Sequence, residues 1–294
     1  MKNTVFKGMA TAMVTPMTPY GVDYDAMARL IEFQIAQGIN ALVAVGTTGE
    51  SATLSPEERK AVIAFTVKQV NGRVPVIAGT GTNNTQHVLE FTKSACDDGA
   101  DAVLVVTPYY NKATQKGLIA HYTAVADVSQ KPVIMYSVPS RTGCTLLPDT
   151  VATLAEHPKI AALKDANGNM DMTVETIAKC GDKLDIYSGE DSLTVPMLAM
   201  GGKGCISVLS NVVPKAATQM CDKAFAGDMA GAAKLQCELL PLIRCLFSEV
   251  NPIPAKAAVA AMGFGEEYLR MPLSYLEDGH RAALLAEMKK IGVL

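Results

Sequence analysis

Short runs of almost wholly apolar residues recur along the chain at 9–14, 41–45, 74–78, 102–106, 133–136, 160–164, 184–188 and 204–208. They do not alternate apolar with polar, so each reads as a parallel strand buried on both faces. Each is followed by a polar loop and then by a helix-length amphipathic segment. The spacing, roughly 20–35 residues, is that of a β-loop-α unit repeated eight times. Ser55-Pro56-Glu57-Glu58 is a capping box with proline at the first helical position. Gly38 and Gly99 stand where helices should end. Leu30, Ile31 and Ile35 give one helix an apolar stripe, as Val62, Phe65 and Val70 do another.

A faint internal repeat agrees. The phrase at 38–45 resembles that at 99–106, and 73–77 resembles 130–134, each skipping one unit. Barrel core layers drawn in turn from odd and even strands have that form. After Gly227-Asp228 the strand signal stops. Residues 229–248 read as a helix kinked at Pro241, Asn251-Pro252-Ile253-Pro254 as a break, and 255–262 and 281–291 as helices. The expected architecture is a (β/α)8 barrel over 1–227 with a small all-helical C-terminal appendage over 228–294.

Composition narrows the function classes. The chain has 294 residues, 49% hydrophobic and 19% charged, with net charge −3. No Lys/Arg cluster suggests a nucleic-acid or membrane-surface partner. No apolar stretch reaches transmembrane length, and no secretory h-region follows Met1. The seven cysteines are scattered, odd in number and free of C-x-x-C, so they read as reduced core residues of a cytoplasmic protein.

In such a barrel the loops after the strands build the site. Lys164 ends the sixth run and leads into the polar Asp165-Ala166-Asn167-Gly168. Desolvation disfavours the charged form of an amine, and a freed amine can form a Schiff base with a carbonyl substrate. Strand-end lysines are more often solvated or salt-bridged, so the neighbours matter. Tyr136 ends the fifth run and should lie beside Lys164, where a phenol can shuttle protons; otherwise it is a core tyrosine. Gly46-Thr47-Thr48-Gly49-Glu50-Ser51 offers hydroxyl and backbone donors to a small carboxylate, or is a plain tight turn. Arg141, on a loop tip, has the fork for a second carboxylate, or is a surface arginine. The four histidines lack ligand spacing and no G-x-G-x-x-G follows a strand, so neither a metal nor a dinucleotide cofactor is expected.

These motifs, with Val76-Ile77-Ala78-Gly79-Thr80-Gly81, Thr107-Pro108-Tyr109-Tyr110-Asn111, residues 136–143 and Leu163-Lys164-Asp165, carry a resemblance over essentially the whole chain. The chain resembles the pyruvate-dependent class I aldolase family that includes the dihydrodipicolinate synthases and the N-acetylneuraminate lyases. The stretch Pro139-Ser140-Arg141-Thr142-Gly143 puts it on the synthase side, since the lyases lack that arginine. The resemblance implies condensation of pyruvate with L-aspartate-4-semialdehyde to 4-hydroxy-tetrahydrodipicolinate in lysine and diaminopimelate biosynthesis, without a cofactor. It implies that Lys164 is the Schiff-base lysine. Tyr136, Thr47 and Tyr110 match a proton relay, with Tyr110 reaching in from a neighbouring subunit of a homotetramer built as a dimer of dimers. Thr48 matches the group holding the pyruvate carboxylate, Arg141 the group meeting the second substrate's carboxylate, and Gly189 and Ile206 positions lining the pyruvate pocket.

Two departures stand out. Ser137 replaces a frequent asparagine, a mild change. At the positions matching the family's inhibitory lysine site, Pro56, Arg59 and His87 replace residues that include a glutamate, while Ala52, Asn83 and Tyr109 match. Weak feedback by lysine is therefore expected. The competing readings are a pyruvate-dependent aldolase acting on a sugar acid and a catalytically silent barrel that senses a ligand.

Overall fold

In the computed structural model, which describes residues 4–294, eight parallel strands close into a barrel. They are β1 Gly8–Ala12, β2 Ala41–Ala44, β3 Val76–Gly79, β4 Ala102–Val106, β5 Val133–Ser137, β6 Ile160–Asp165, β7 Asp185–Ser188 and β8 Gly204–Ser207. Each pairs with its neighbours in sequence, and β1 closes the ring against β8 with Gly8 opposite Gly204. That closure needs glycine: Gly204 has φ +154°, and a Cβ there would stand 1.8 Å from the Gly8 carbonyl oxygen.

Alternation along each strand sorts the side chains into two layers. Ala10, Val43, Leu104, Ile134, Tyr136 and Ile206 belong to the cluster that fills the barrel. Met9, Leu42, Val103, Met135, Leu163 and Cys205 belong to the larger cluster shared with the helices. Ala162 is an inward residue, so Lys164, two positions on, shares its face. At the start of β1 the Phe6 and Tyr187 rings stack at 4.2 Å, and the Tyr187 hydroxyl donates to the Phe6 carbonyl at 2.6 Å.

The surrounding helices are α1 Tyr24–Ala36, α2 Pro56–Val70, α3 Thr85–Asp97, α4 Gln115–Val128, α5 Pro148–Ala155, α6 Met170–Cys180, α7 Thr194–Ala199 and α8 Pro214–Phe225. The expected capping box is present: Ser55 accepts from the Glu58 amide, and the Glu58 carboxylate accepts from the Ser55 amide. Gly38 and Gly99 directly follow the C-caps of α1 and α3 with left-handed φ of +83° and +90°.

Three more helices follow: α9 Met229–Leu246, α10 Ile253–Ala261 and α11 Asp278–Lys290. α9 runs through Pro241 as a single helix. The last two start earlier than their sequence pattern suggests. Two short elements escaped periodicity altogether, a two-residue hairpin (Met17–Thr18 with Gly21–Val22) and a one-turn helix, Pro139–Thr142. Five cysteines are buried as expected, but Cys237 is exposed and Cys245 half-buried. Among the described residues no helix is long and apolar enough to cross a membrane.

The C-terminal segment is pinned over the loop after β2. Lys256 Nζ sits 2.6 Å from Glu50 Oε1, with both side chains 1% exposed, and also donates to the carbonyls of Thr15 and Tyr268. Arg270 grips Glu58, the capping-box residue, with two guanidinium nitrogens.

Candidate active site

Strands β5 and β6 bring Tyr136 and Lys164 directly opposite each other in register. Lys164 is 6% exposed, and its Nζ lies 4.2 Å from the centre of the Tyr136 ring. Gly189, just past β7, leaves the space that the lysine occupies. A Cβ on Gly189 would come within 2.7 Å of Ala166 Cβ and 3.1 Å of Lys164 Cε.

The loop after β2 carries Thr47 and Thr48 in a constrained backbone. Val45 and Glu50, which flank it, have φ of +57° and +56°, a left-handed region that non-glycine residues rarely hold without support. Support comes from the Thr15 hydroxyl, which donates to the Gly49 carbonyl at 2.8 Å, and from the buried Glu50–Lys256 pair. Thr48 Oγ1 accepts from Asn251 Nδ2 at 3.0 Å.

Arg141 is exposed, but on a single helical turn rather than an irregular loop. It lies in the Pro139–Thr142 turn, whose Thr142 hydroxyl donates to the Cys144 carbonyl and accepts from Thr107. Its guanidinium donates to the Asn251 carbonyl at 3.2 Å. Ser137, the substituted position, is buried, and its hydroxyl accepts from the Leu146 amide at 3.3 Å.

These elements enclose a cavity of about 120 Å³ lined by Thr47, Thr48, Tyr136, Arg141, Lys164 and Gly189. That is space for a small organic acid, well below the size of a nucleotide site. Two residues named from the sequence are elsewhere. Ile206 packs in the barrel interior, in the same apolar cluster as Tyr136, and does not line the cavity. Tyr110 is 90% exposed with φ +72°, outside the cavity of its own chain.

Beside apolar side chains, the structure adds two polar cavity-lining residues that the sequence reading missed, Glu190 and Asn251. Glu190 follows Gly189 at the end of β7, a strand-end position that could have singled it out. Asn251 stands in the segment read only as a break, and nothing local links it to Thr48, 203 positions away.

Acidic groups surround the lysine. Burial pushes Asp165 up, against hydrogen bonds from Thr173 and Asn167. Burial also pushes the fully enclosed Asp191 up, although Ser207 and the amides of Leu209 and Val208 donate to it. Glu190 is raised by burial and by Asp191, while Lys164 and Arg141 pull it down. Apart from this site, Glu249, Glu277 and His280 bring their ligand atoms within 4.8 Å of one another, a grouping that sequence spacing hid. The residues lining the cavity do not include them.

An inward lysine amine over a phenol, a hydroxyl-bearing loop and an arginine in one small cavity can form an imine with a keto acid and move protons around it. The model of the dihydrodipicolinate synthetase family matches residues 5–291. The 4-hydroxy-tetrahydrodipicolinate synthase of Geobacter sulfurreducens is 48% identical over 286 residues, covering 97% of this chain and 99% of the relative. Among solved structures, dihydrodipicolinate synthase from Thermotoga maritima superposes with a TM-score of 0.97 at 39% identity, covering 99% of this chain and 100% of that one. The chloride-inhibited dihydrodipicolinate synthase from Acinetobacter baumannii, complexed with pyruvate, gives a TM-score of 0.96 at 43% identity with the same coverage. With the match running through barrel, site loops and C-terminal helices alike, the chain belongs to the dihydrodipicolinate synthetase family.

Proposed function

We propose that this enzyme condenses pyruvate with L-aspartate-4-semialdehyde to form 4-hydroxy-tetrahydrodipicolinate, a step of lysine and diaminopimelate biosynthesis. The observation that carries the reading is one small cavity holding both Lys164 over Tyr136 and, at its mouth, Arg141. The Lys164 amine adds to the ketone of pyruvate and water leaves, giving an iminium. That cation acidifies the methyl group, and loss of a proton yields an enamine. The enamine carbon attacks the aldehyde, and the resulting alkoxide takes up a proton. The substrate's own amine then adds to the iminium carbon and displaces Lys164 as the ring closes. Tyr136 and Thr47 carry protons between these steps, with Tyr110. Thr48 holds the pyruvate carboxylate, Gly189 keeps the lysine's space open, and Ile206 backs the pocket from the barrel interior.

We read the assembly as a cytoplasmic homotetramer, a dimer of dimers in which Tyr110 enters a neighbour's site. Its exposure and left-handed backbone outside its own cavity support this. Unfolding and co-refolding Tyr110→Phe with Lys164→Ala subunits should then restore part of the activity. Mixed oligomers without activity would return Tyr110 to its own subunit. The segment 228–294 is the barrel's appendage, and its Asn251 and Lys256 make it part of the site's support. Coupled turnover of pyruvate with L-aspartate-4-semialdehyde tests the function. Turnover confined to pyruvate with sugar-derived aldehydes would move the enzyme to the sugar-acid aldolases.

A further inference from the structure

The cavity beside Lys164 holds two acceptors that no protein donor satisfies. Among the described residues, the Glu190 carboxylate takes part in no hydrogen bond or ion pair, although Glu190 is half-buried at the cavity wall. Asn251 is 6% exposed, and its Nδ2 is committed to Thr48, which leaves the buried Oδ1 without a donor. A buried acceptor left unmatched is costly, so the group that completes this wall must bring N–H or O–H donors. The donors in the cavity lie on other residues: the Lys164 amine, the guanidinium of Arg141 and the hydroxyls of Thr47, Thr48, Tyr136 and Ser140.

A zwitterionic amino acid needs both kinds of partner, donors for its carboxylate and acceptors with negative charge for its ammonium. We propose that Glu190, assisted by Asn251 Oδ1, forms an ammonium subsite that recognises the α-amino group of the second substrate and so selects an amino-acid aldehyde over its desamino counterpart. The inference rests on the reading in which Lys164 holds pyruvate and Arg141 meets the carboxylate of that substrate. It goes further by giving the amino group an address. Glu190 is the group suited to it. Burial and the neighbouring Asp191 carboxylate both make its bare anion unfavourable, and an incoming cation relieves both. Once the iminium has lost its proton to become the neutral enamine, Lys164 no longer offers a cation, which leaves the carboxylate to the incoming substrate. Placing the amino group on this wall also keeps it near Lys164, whose Nζ it displaces after the ammonium has passed a proton to the Glu190 carboxylate.

The alternative is that Glu190 only tunes the charge of Lys164 and Arg141. The two roles part when the enzyme, loaded with pyruvate, is offered two aldehydes in single-turnover experiments. One is L-aspartate-4-semialdehyde; the other is succinate semialdehyde, which has the same chain and carboxylate without the amine. Formation of the carbon–carbon adduct is followed by quenching and mass spectrometry. The wild-type enzyme should favour the amino aldehyde by about 10–100-fold, the scale of a hydrogen-bonded charge. Glu190→Gln should collapse the preference to within about threefold, by loss on the amino aldehyde alone, and Glu190→Asp should restore part of it. An unchanged preference in Glu190→Gln, or an equal loss on both aldehydes, would overturn the subsite. Wild-type enzyme that forms no pyruvate adduct would overturn the underlying reading and the subsite with it, and this is seen before either aldehyde is added.

Discussion

Lys164 and Tyr136 face each other across neighbouring strands, with the lysine Nζ 4.2 Å from the centre of the tyrosine ring. Register alone sets this contact, because both are inward positions at the same height of the barrel. The phenol is therefore within reach of any intermediate carried on the lysine.

Tyr136→Phe keeps the ring under the amine and removes only the hydroxyl. Turnover should fall by about 10²–10⁴, the usual scale for a positioned acid–base group. Thermal stability should stay close to wild type. Steady-state kinetics with both substrates measure the effect, and near-normal turnover would remove Tyr136 from the relay.

The loop bearing Thr47 and Thr48 depends on a partner more than 200 positions away. Lys256→Met leaves the Glu50 carboxylate buried without its cation, a loss of about 3–5 kcal/mol. Burial itself disfavours the Lys256 ammonium, and Glu50 offsets this. Urea unfolding should show the loss, and adding Glu50→Gln to the same chain should recover much of it. A single variant as stable as wild type would mean the pair carries no such weight.

His121 gives a pH dependence of known sign. It is 4% exposed between α3 and α4, its Nδ1 pairs with the Thr85 hydroxyl at 2.9 Å, and burial lowers it from 6.5 to about 4. The unfolded chain therefore binds a proton here before the folded one does. The stabilising contribution is full above about pH 6.5 and is lost as pH falls toward about 4, amounting to about 3 kcal/mol. His121→Asn should flatten the stability profile across that window. A variant whose profile matches wild type would show that His121 does not govern it.

Much of this was legible in the chain because the signals are local. Eight apolar runs, the Ser55–Glu58 box and Gly38 and Gly99 each act within a few residues, and the order of strands then follows from right-handed βα repetition. Lys164 and Tyr136 were legible for the same reason, since strands consecutive in sequence are neighbours in the barrel. Asn251, the Glu50–Lys256 pair and the grip of Arg270 on Glu58 were not, because they join segments about 200 residues apart through side chains that carry no periodic mark. Arg141 was found, but the helical turn that carries it was not, since a single turn is too short to show periodicity. Ile206 is inward as its strand dictates, yet it packs among the barrel's apolar side chains and does not line the cavity.

Lysine feedback is expected to be weak for a reason the structure sharpens. Arg59 is buried where the family resemblance places an effector contact. Its guanidinium donates to the carbonyls of Ser51 and Gly79 and stacks over Phe91 at 4.3 Å. Burial lowers it to about 10, so it stays charged near neutrality and repels a second ammonium. Those two carbonyls are thereby already engaged by a resident cation. A lysine titration of the initial rate at subsaturating pyruvate should give half-inhibition well above about 1 mM, a binding energy weaker than roughly 4 kcal/mol. Half-inhibition at or below that concentration would show an intact effector site.

The central claim is the identity of the nucleophile, and borohydride trapping with pyruvate tests it most directly. Reduction of the enzyme–pyruvate imine should leave one irreversible pyruvyl adduct per subunit, mapped by peptide mass spectrometry to Lys164. The adduct should be absent from a folded Lys164→Ala variant. An adduct on another lysine, or none on the wild-type enzyme, would contradict the account.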